Sequence, residues 1–132
     1  MDIRIETHDE RFQLVLTNIS DSGADTFKCN AIVKSGWLEC NRQFFFSRYY
    51  AEKFLMAIID MNSKFSGTAE LKAEYEDQVI VFTCNKMGRV VITGEFIEHS
   101  MLSQIVEFGF ETDQTILPGL AKQFESLLKK FS

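Results

Sequence analysis

Apolar and polar residues alternate with a period of two along the first part of the chain, which predicts β-strands. Two segments, 2–7 and 11–19, show this alternation. In the second of them Phe12, Leu14 and Leu16 are expected to face one side. The polar stretch "SDSGADT" that follows has glycine and aspartate where a turn needs them. The pattern therefore predicts two strands and a loop.

A β-hairpin is predicted next, from "FKCNAIVK" and "WLECNRQFFF" joined by Ser35-Gly36. A two-residue turn at this position fixes which residues lie opposite each other. The expected pairs are Val33 with Leu38, Ala31 with Cys40, and Phe27 with Phe44, with Arg42 beside Cys29. On the other face, away from the core, the register places Trp37 and Phe45.

The spacing of apolar residues changes to that of a helix over 47–63, with Ser47 as its N-cap. Five residues form one stripe on this helix: Ala51, Phe54, Leu55, Ile58 and Met61. Met56 and Ile59 widen the stripe, so the helix is expected to be well buried.

Three further strands are predicted from "TAELKAEY", "QVIVFTC" and "RVVITGEFI". A tight turn at Glu76-Asp77 would put Ile80 and Phe82 beside Leu71. A four-residue turn at 85–88 instead favours the other face of the middle strand, with Val79 and Val81 beside Val90. Either a β-bulge intervenes or this strand is covered on both sides, and the pattern leaves both readings open.

The register of the last predicted hairpin is chosen so that one face of the two strands is apolar. A three-residue loop, Glu98-His99-Ser100, satisfies this requirement. Its expected pairs are Phe96 with Leu102, Ile92 with Val106, and Val90 with Phe108. The opposite face would carry the polar residues Arg89, Thr93, Glu95, Ser103, Glu107 and Glu111, with Val91 and Ile105 among them.

A second, strongly amphipathic helix is predicted over 117–131. Pro118 falls in its first turn, where the missing N–H costs nothing. In the preceding "ETDQT", Asp113 and Thr115 can bond free backbone amides. The chain therefore predicts an α+β fold: a single domain, 1–132, with a curved antiparallel meander of seven or eight strands and two helices packed on it. Four strands and a helix occur twice, which suggests a distant internal duplication.

Composition limits the classes of function. With 14 basic and 19 acidic residues the net charge is −5, which argues against nucleic acid as a ligand. It suits a basic partner protein, and it also favours solubility. No window has the roughly 18 continuous apolar residues of a membrane span, and the N-terminus does not resemble a signal peptide. The three cysteines lack metal-binding spacing and indicate reduced thiols in a cytoplasmic protein.

Residues that could support catalysis or metal binding are few. His8 and His99 are expected in exposed loops, where general acid–base catalysis lacks an enclosed partner. Asp113 with Glu111 or Glu107 resembles a carboxylate pair, but capping and a solvated strand face explain these residues better. We therefore expect no catalytic residue, no metal site and no cofactor.

Two aromatic residues are candidates for binding. Exposed tryptophan is uncommon and is favoured at the centres of contacts, so Trp37 is one candidate, unless it packs over Ile32. Phe45 is the other, because core packing accounts for Phe44 and Phe46 but leaves Phe45 on the opposite face.

Several short motifs resemble those of the small WapI-type bacterial immunity proteins and related uncharacterised bacterial families. These families show a mid-chain tryptophan, two glycine-containing strands and a final "F-x-x-D-Q-T-x-L" before a helix. The matching positions here are Trp37; Gly67, Ala69 and Leu71; Gly88, Val90 and Gly94; and Phe110, Asp113, Gln114, Thr115 and Leu117. The resemblance implies a cytoplasmic, non-enzymatic protein that binds and blocks a toxin domain, and it supplies no catalytic residues.

The function expected from these observations is that of a protein-binding module. Its contact surface would combine Glu95, Glu107 and Glu111 with Trp37 or Phe45 as an apolar anchor, and a basic toxin domain would complement the charge. The alternative is a small-ligand carrier or sensor with a phenylalanine-lined cavity between sheet and helices. An enzyme ranks third. The chain would be a monomer, or a homodimer formed through the doubly apolar strand 78–84.

Overall fold

A computed structural model describes residues 1–75 and 77–132, and of Glu6 only the backbone. The chain forms two antiparallel four-stranded meanders, each followed by a helix. In chain order the elements are β1 Ile3–Glu6, β2 Phe12–Asp21, β3 Thr26–Ser35, β4 Leu38–Ser47, α1 Arg48–Lys64, β5 Gly67–Lys72, β6 Val79–Cys84, β7 Arg89–Glu98, β8 Gln104–Asp113, a 3₁₀ turn Gln114–Ile116, and α2 Leu117–Lys130.

The α+β class is confirmed, with eight antiparallel strands and two helices packed on them. The strands are divided between an N-terminal sheet, β1-β2-β3-β4, and a C-terminal sheet, β5-β6-β7-β8. Both helices lie within one residue of their predicted bounds. The repeated order of four strands and a helix is present in the fold, as the internal-duplication interpretation requires.

Phenylalanine rings join the layers into one core. Between the sheets, Phe44 lies 6.2 Å from Phe96, measured between ring centroids. Phe54 of α1 contacts both Phe82 of the C-terminal sheet, at 5.4 Å, and Phe124 of α2, at 4.9 Å. Burying one such ring contributes about 1.5–3 kcal/mol, so these contacts hold the sheets and helices together.

Helix α1 begins and ends at residues that the sequence marks. The Ser47 hydroxyl accepts a hydrogen bond from the amide of Tyr50, which confirms the predicted N-cap. Phe65 ends the helix in a left-handed conformation, with its amide donating to the carbonyl of Met61. Met56 and Ile59 are exposed, at 71% and 47%, so the prediction that they widen the buried stripe is wrong. The face of α1 in contact with the core is narrower than expected.

The turn between β3 and β4 lies one residue later than predicted. Its two central residues are Gly36 and Trp37, because Ser35 pairs with Leu38. Gly36 has φ = 66°, a conformation that glycine adopts without strain and that suits the first position of a type II′ turn. The true pairs are Phe27 with Phe46, Cys29 with Phe44, Ala31 with Arg42, and Val33 with Cys40. The residues of both strands nevertheless lie on their predicted faces, but Trp37 lies in the turn and not on the strand face on which it was predicted.

The β7–β8 loop is longer than predicted. Glu98 pairs with Gln104, so five residues separate the strands rather than three. The true pairs include Phe96 with Val106, Ile92 with Phe110, and Val90 with Thr112. The predicted loop and the observed loop both contain an odd number of residues. The residues predicted for the polar face of β7 and β8 therefore still share one face.

The two open readings of β6 are resolved by a short loop. The amide of Asn85 donates to the carbonyl of Arg89, which leaves three residues in the turn, and Gly88 is left-handed at φ = 79°. Cys84 therefore pairs with Val90, and the expected placement of Val79 and Val81 beside Val90 is wrong. Neither a bulge nor a second covering layer is needed to explain the pattern.

On its other side β6 pairs with β5, and Ile80 lies opposite Leu71 as expected. The predicted turn at Glu76-Asp77 includes Glu76, which lies outside the described residues. β6 is an interior strand, with β5 and β7 on its two sides.

Candidate protein-binding surface

Strand β8 is the last strand of the C-terminal sheet, so one of its sides has no neighbouring strand. The amide of Gln114 donates to the carbonyl of Gly88, which identifies Gly88 and Gln114 as a hydrogen-bonded pair. Hydrogen-bonded and non-hydrogen-bonded pairs alternate along an antiparallel ladder. The residues of β8 that direct their backbone N–H and C=O groups away from β7 are therefore Ile105, Glu107, Gly109 and Glu111.

Other edge strands of the two sheets make contacts with parts of the chain outside their sheets. At β1, the side-chain amide of Gln123 bonds both backbone groups of Arg4, at 2.8 and 3.0 Å. At β4, the carbonyl of Phe45 accepts from the amide of Glu74, and α1 packs against β5. Within the described part of the chain, the outward backbone groups of Ile105, Glu107 and Glu111 have no such partner. An uncovered edge of this kind can pair with another chain.

The solvent-facing side of β7 and β8 carries three glutamates, Glu95, Glu107 and Glu111, which we call the acidic face. Glu95 and Glu107 are direct cross-strand partners, and Glu111 lies opposite Val91. Glu107 and Glu111 are exposed, and Glu95 is half-buried. The sequence prediction that these glutamates share one face is confirmed by the register.

A hydrogen bond places the turn that carries Trp37 at the edge of β8. The Ser35 hydroxyl donates to the carbonyl of Gly109 at 3.2 Å. Gly109 lies between Glu107 and Glu111 along β8, and Trp37 is two residues from Ser35 in the adjoining turn. Its indole side chain is 95% exposed. Residues some 70 positions apart in sequence therefore form one surface, which we call the tryptophan edge: Trp37, Glu107, Gly109 and Glu111.

The second aromatic candidate lies elsewhere. Phe45 is eight residues from Trp37 along β4, which corresponds to about 26 Å in an extended strand. Its ring is half-buried and makes an edge-on contact with Tyr75, at 5.6 Å between centroids. The structure thus brings the turn that carries Trp37, and not Phe45, to strand β8.

The histidines lie at the surface. The side chain of His8 is 80% exposed, and its Nε2 is 3.2 Å from Oδ2 of Asp113. The Thr115 hydroxyl and amide donate to Asp113, and these bonds, with His8 nearby, lower the pKa of the Asp113 carboxyl. Capping of the 3₁₀ turn by Asp113, expected from the sequence, is confirmed. No cluster of three metal-binding side chains occurs in the described ranges.

An open groove of about 780 Å³ crosses the outer side of β5 and β6. Val79 and Val81 line it together with Tyr50, Tyr75 and the exposed His99. Among the described residues that line this groove there is no phenylalanine. Periodicity did not indicate the groove, because it depends on where α1 and residues 73–75 and 77–78 lie relative to the sheet.

Sequence reasoning also missed Ser35 and Gly109, the two residues that join the tryptophan edge. A signal was present at Gly109, since glycine inside a strand often marks a close approach by another backbone. Ser35 carried no comparable signal.

Comparison with protein-family models, curated proteins and solved structures finds no match for this chain. In the part of the chain that the structure describes, no helix is both long enough and apolar enough to cross a membrane.

Proposed function

We propose that the protein is a non-enzymatic binding module of the immunity type, which acts in the cytoplasm by binding and neutralising a basic toxin domain. The observation that carries this proposal is the Ser35–Gly109 hydrogen bond, which brings the turn that carries the exposed Trp37 to the strand that carries two exposed glutamates. Tryptophan is a frequent energetic centre of protein interfaces. Acidic side chains around it favour a partner of opposite charge.

The electrostatics of the whole chain support the same partner chemistry. The net charge of −5 attracts basic proteins and accelerates their association at low salt. The sequence resemblance to WapI-type immunity proteins agrees with this function. Inhibition in this proposal is steric, so it needs no catalytic group of its own.

The first experiment identifies the partner. A tagged chain is used to capture proteins from the cells that produce it, and mass spectrometry identifies them. The expected partner is a basic domain that arrests growth when a bacterial test strain produces it alone. Co-production of this protein should restore growth. A partner without toxicity would remove the immunity assignment, while a binding role would stand.

The second experiment locates the contact. Calorimetry with the purified partner compares Glu107→Lys/Glu111→Lys with the matched control Glu52→Lys/Glu125→Lys, which makes the same charge change on exposed positions of the two helices. We expect the first pair to weaken binding by about tenfold or more. The control should bind within about twofold of the unaltered protein. Equal effects in both variants would show that only net charge matters.

A small-ligand carrier or sensor is the alternative. The open groove over Val79 and Val81 supports it, although this groove lies on the outer side of the sheet rather than between sheet and helices. A library of aromatic and lipid compounds should then raise the melting temperature. Val81→Lys should abolish that effect, because it places a charge on the floor of the groove.

A further inference from the structure

We infer that the tryptophan edge binds its partner by strand addition, in which an extended basic segment of the partner pairs with β8. This inference rests on the proposed function and specifies how that surface makes contact. Ile105, Glu107, Gly109 and Glu111 direct backbone groups outward, as the Gly88–Gln114 pair shows. The Gly109 carbonyl already accepts the Ser35 hydroxyl, so an added strand would pair with the Gly109 amide and with the groups of the other three residues. Main-chain hydrogen bonds to such an edge provide affinity, and alternate side chains provide specificity.

The side chains beside the edge define the sequence of the incoming segment. Side chains of an added strand alternate between the two faces of the sheet. On the solvent-facing side they would meet Glu107 and Glu111, which favours lysine or arginine at every second position. On the other side they would lie beside the buried Phe108 and Phe110, which favours apolar residues. Gly109 has no side chain to hinder the approach of another backbone.

A second copy of this chain fits the same edge poorly. Two β8 strands paired antiparallel about Gly109 would place Glu107 of each copy opposite Glu111 of the other. Like charges in direct cross-strand positions are destabilising. The charge pattern therefore selects a basic strand and disfavours a homodimer through β8.

The test uses a synthetic peptide, acetyl-Lys-Val-Lys-Val-Lys-Val-Lys-amide, which matches the seven residues from Ile105 to Glu111. Acetyl-Lys-Lys-Val-Val-Val-Lys-Lys-amide has the same composition without the alternation and serves as the peptide control. Calorimetry should show binding of the first peptide that is at least about tenfold tighter than that of the second. Hydrogen exchange should show slower exchange of the amides of Glu107, Gly109 and Glu111.

Two variants at one position separate backbone pairing from charge attraction. Gly109→Pro removes an outward N–H and is compatible with the fold, since proline is tolerated on the free side of an edge strand. Gly109→Ala keeps the N–H, and its methyl group would lie 3.4 Å from Cγ2 of Thr93, an ordinary contact. We expect Gly109→Pro to weaken peptide binding by about tenfold or more and Gly109→Ala by less than about twofold. Melting temperatures verify that both variants are folded.

Three outcomes would overturn the inference. The alternating peptide could bind equally to both variants, or it could fail to bind at all. Hydrogen exchange could also show protection of amides at β4 or the groove instead of β8. With the natural partner the two proposals fail separately. If Glu107→Lys/Glu111→Lys weakens the complex but Gly109→Pro does not, the binding face stands and strand addition is wrong. If neither variant has an effect, the proposed surface itself is wrong.

Discussion

Glu95 and Glu107 lie directly opposite each other on the solvent-facing side of β7 and β8. They form a non-hydrogen-bonded pair, the type in which side chains of opposing residues are closest. Two carboxylates in this position repel each other. A protein selected for stability alone gains nothing from this pair, whereas a surface that binds a cationic partner gains attraction from it.

Replacing Glu107 with glutamine should therefore stabilise the fold while weakening the binding of the proposed basic partner. We expect Glu107→Gln to raise the free energy of unfolding by about 0.2–1 kcal/mol, because the cross-strand repulsion is removed. Urea denaturation at low salt measures it. In a Glu95→Gln background the same substitution should have almost no effect, as a double-mutant cycle requires. An equal increase in the free energy of unfolding in both backgrounds would show that it does not come from repulsion between Glu95 and Glu107.

Acid should destabilise the junction between β8 and α2 through Asp113. Bonds from the Thr115 hydroxyl and amide lower the pKa of this carboxyl in the folded state below its ordinary value of 3.8. A lowered folded-state pKa means that the stabilisation is present above the unfolded-state value and is lost as the pH falls through the folded-state value. Asp113→Asn keeps a capping oxygen and removes only the negative charge, so it should cost about 0.3–1 kcal/mol of stability at pH 7 and less in strong acid.

Urea denaturation at pH 7 and about pH 2 tests this pH dependence. The difference between Asp113→Asn and the unaltered protein should shrink on acidification. Glu125→Gln, at an exposed position of α2, is the control and should show a pH-independent difference near zero. A constant cost of Asp113→Asn at both pH values would mean that the charge of the carboxylate does not contribute.

The sequence predicted the face of the sheet on which each side chain lies better than it predicted the cross-strand neighbours. The reason is geometric. Side chains in a strand alternate with a period of two, so an error of two residues in register leaves every side chain on its correct face. The predicted turn at Ser35-Gly36 and the predicted three-residue loop after β7 both have errors of this even type. Glu107 and Glu111 were thus assigned to the right face although their cross-strand partners were wrong.

The candidate surface required information that periodicity does not contain. Phe12 of the N-terminal sheet contacts Phe110 at 5.9 Å, beside the bond from Ser35 to Gly109. These contacts depend on how the two sheets pack, and no local pattern specifies that packing. The exposure of Met56 has a similar origin, since only the position of α1 against β5 and α2 determines which of its apolar residues are covered.

Cysteine reactivity should follow burial. All three cysteines have free thiols. Burial raises the pKa of Cys29 to about 12, and its Sγ lies 3.5 Å from the carbonyl oxygen of Phe44. Since the thiolate is the reactive species, Cys29 should be the slowest to alkylate in the folded protein. The half-buried Cys40 should react first.

Mass spectrometry of iodoacetamide-treated protein after proteolysis measures these rates site by site. Adding urea to the midpoint of unfolding should bring the rates of Cys29 and Cys40 together, because exposure then controls both. Rapid alkylation of Cys29 in the absence of urea would show that the β3–β4 region opens readily.

Gly94 should tolerate no larger residue, because the ring of Phe108 occupies the space above it. A Cβ atom at this position would lie 2.3 Å from Cζ of Phe108. Gly94→Ala must displace that ring from its contacts with Phe96 and Phe110, so it should cost about 1–3 kcal/mol of stability. Gly109→Ala, on the opposite face of the same hairpin, should change stability by less than about 0.5 kcal/mol.

Urea denaturation of the single and combined variants distinguishes overpacking at Gly94 from a general destabilising effect of alanine in these strands. Phe108→Leu alone should destabilise the protein by leaving a cavity. Combined with Gly94→Ala it should cost less than the two substitutions added together, because the smaller side chain relieves the clash. If the losses of stability are strictly additive, the Phe108 ring moves aside freely. The need for glycine at position 94 would then have another cause.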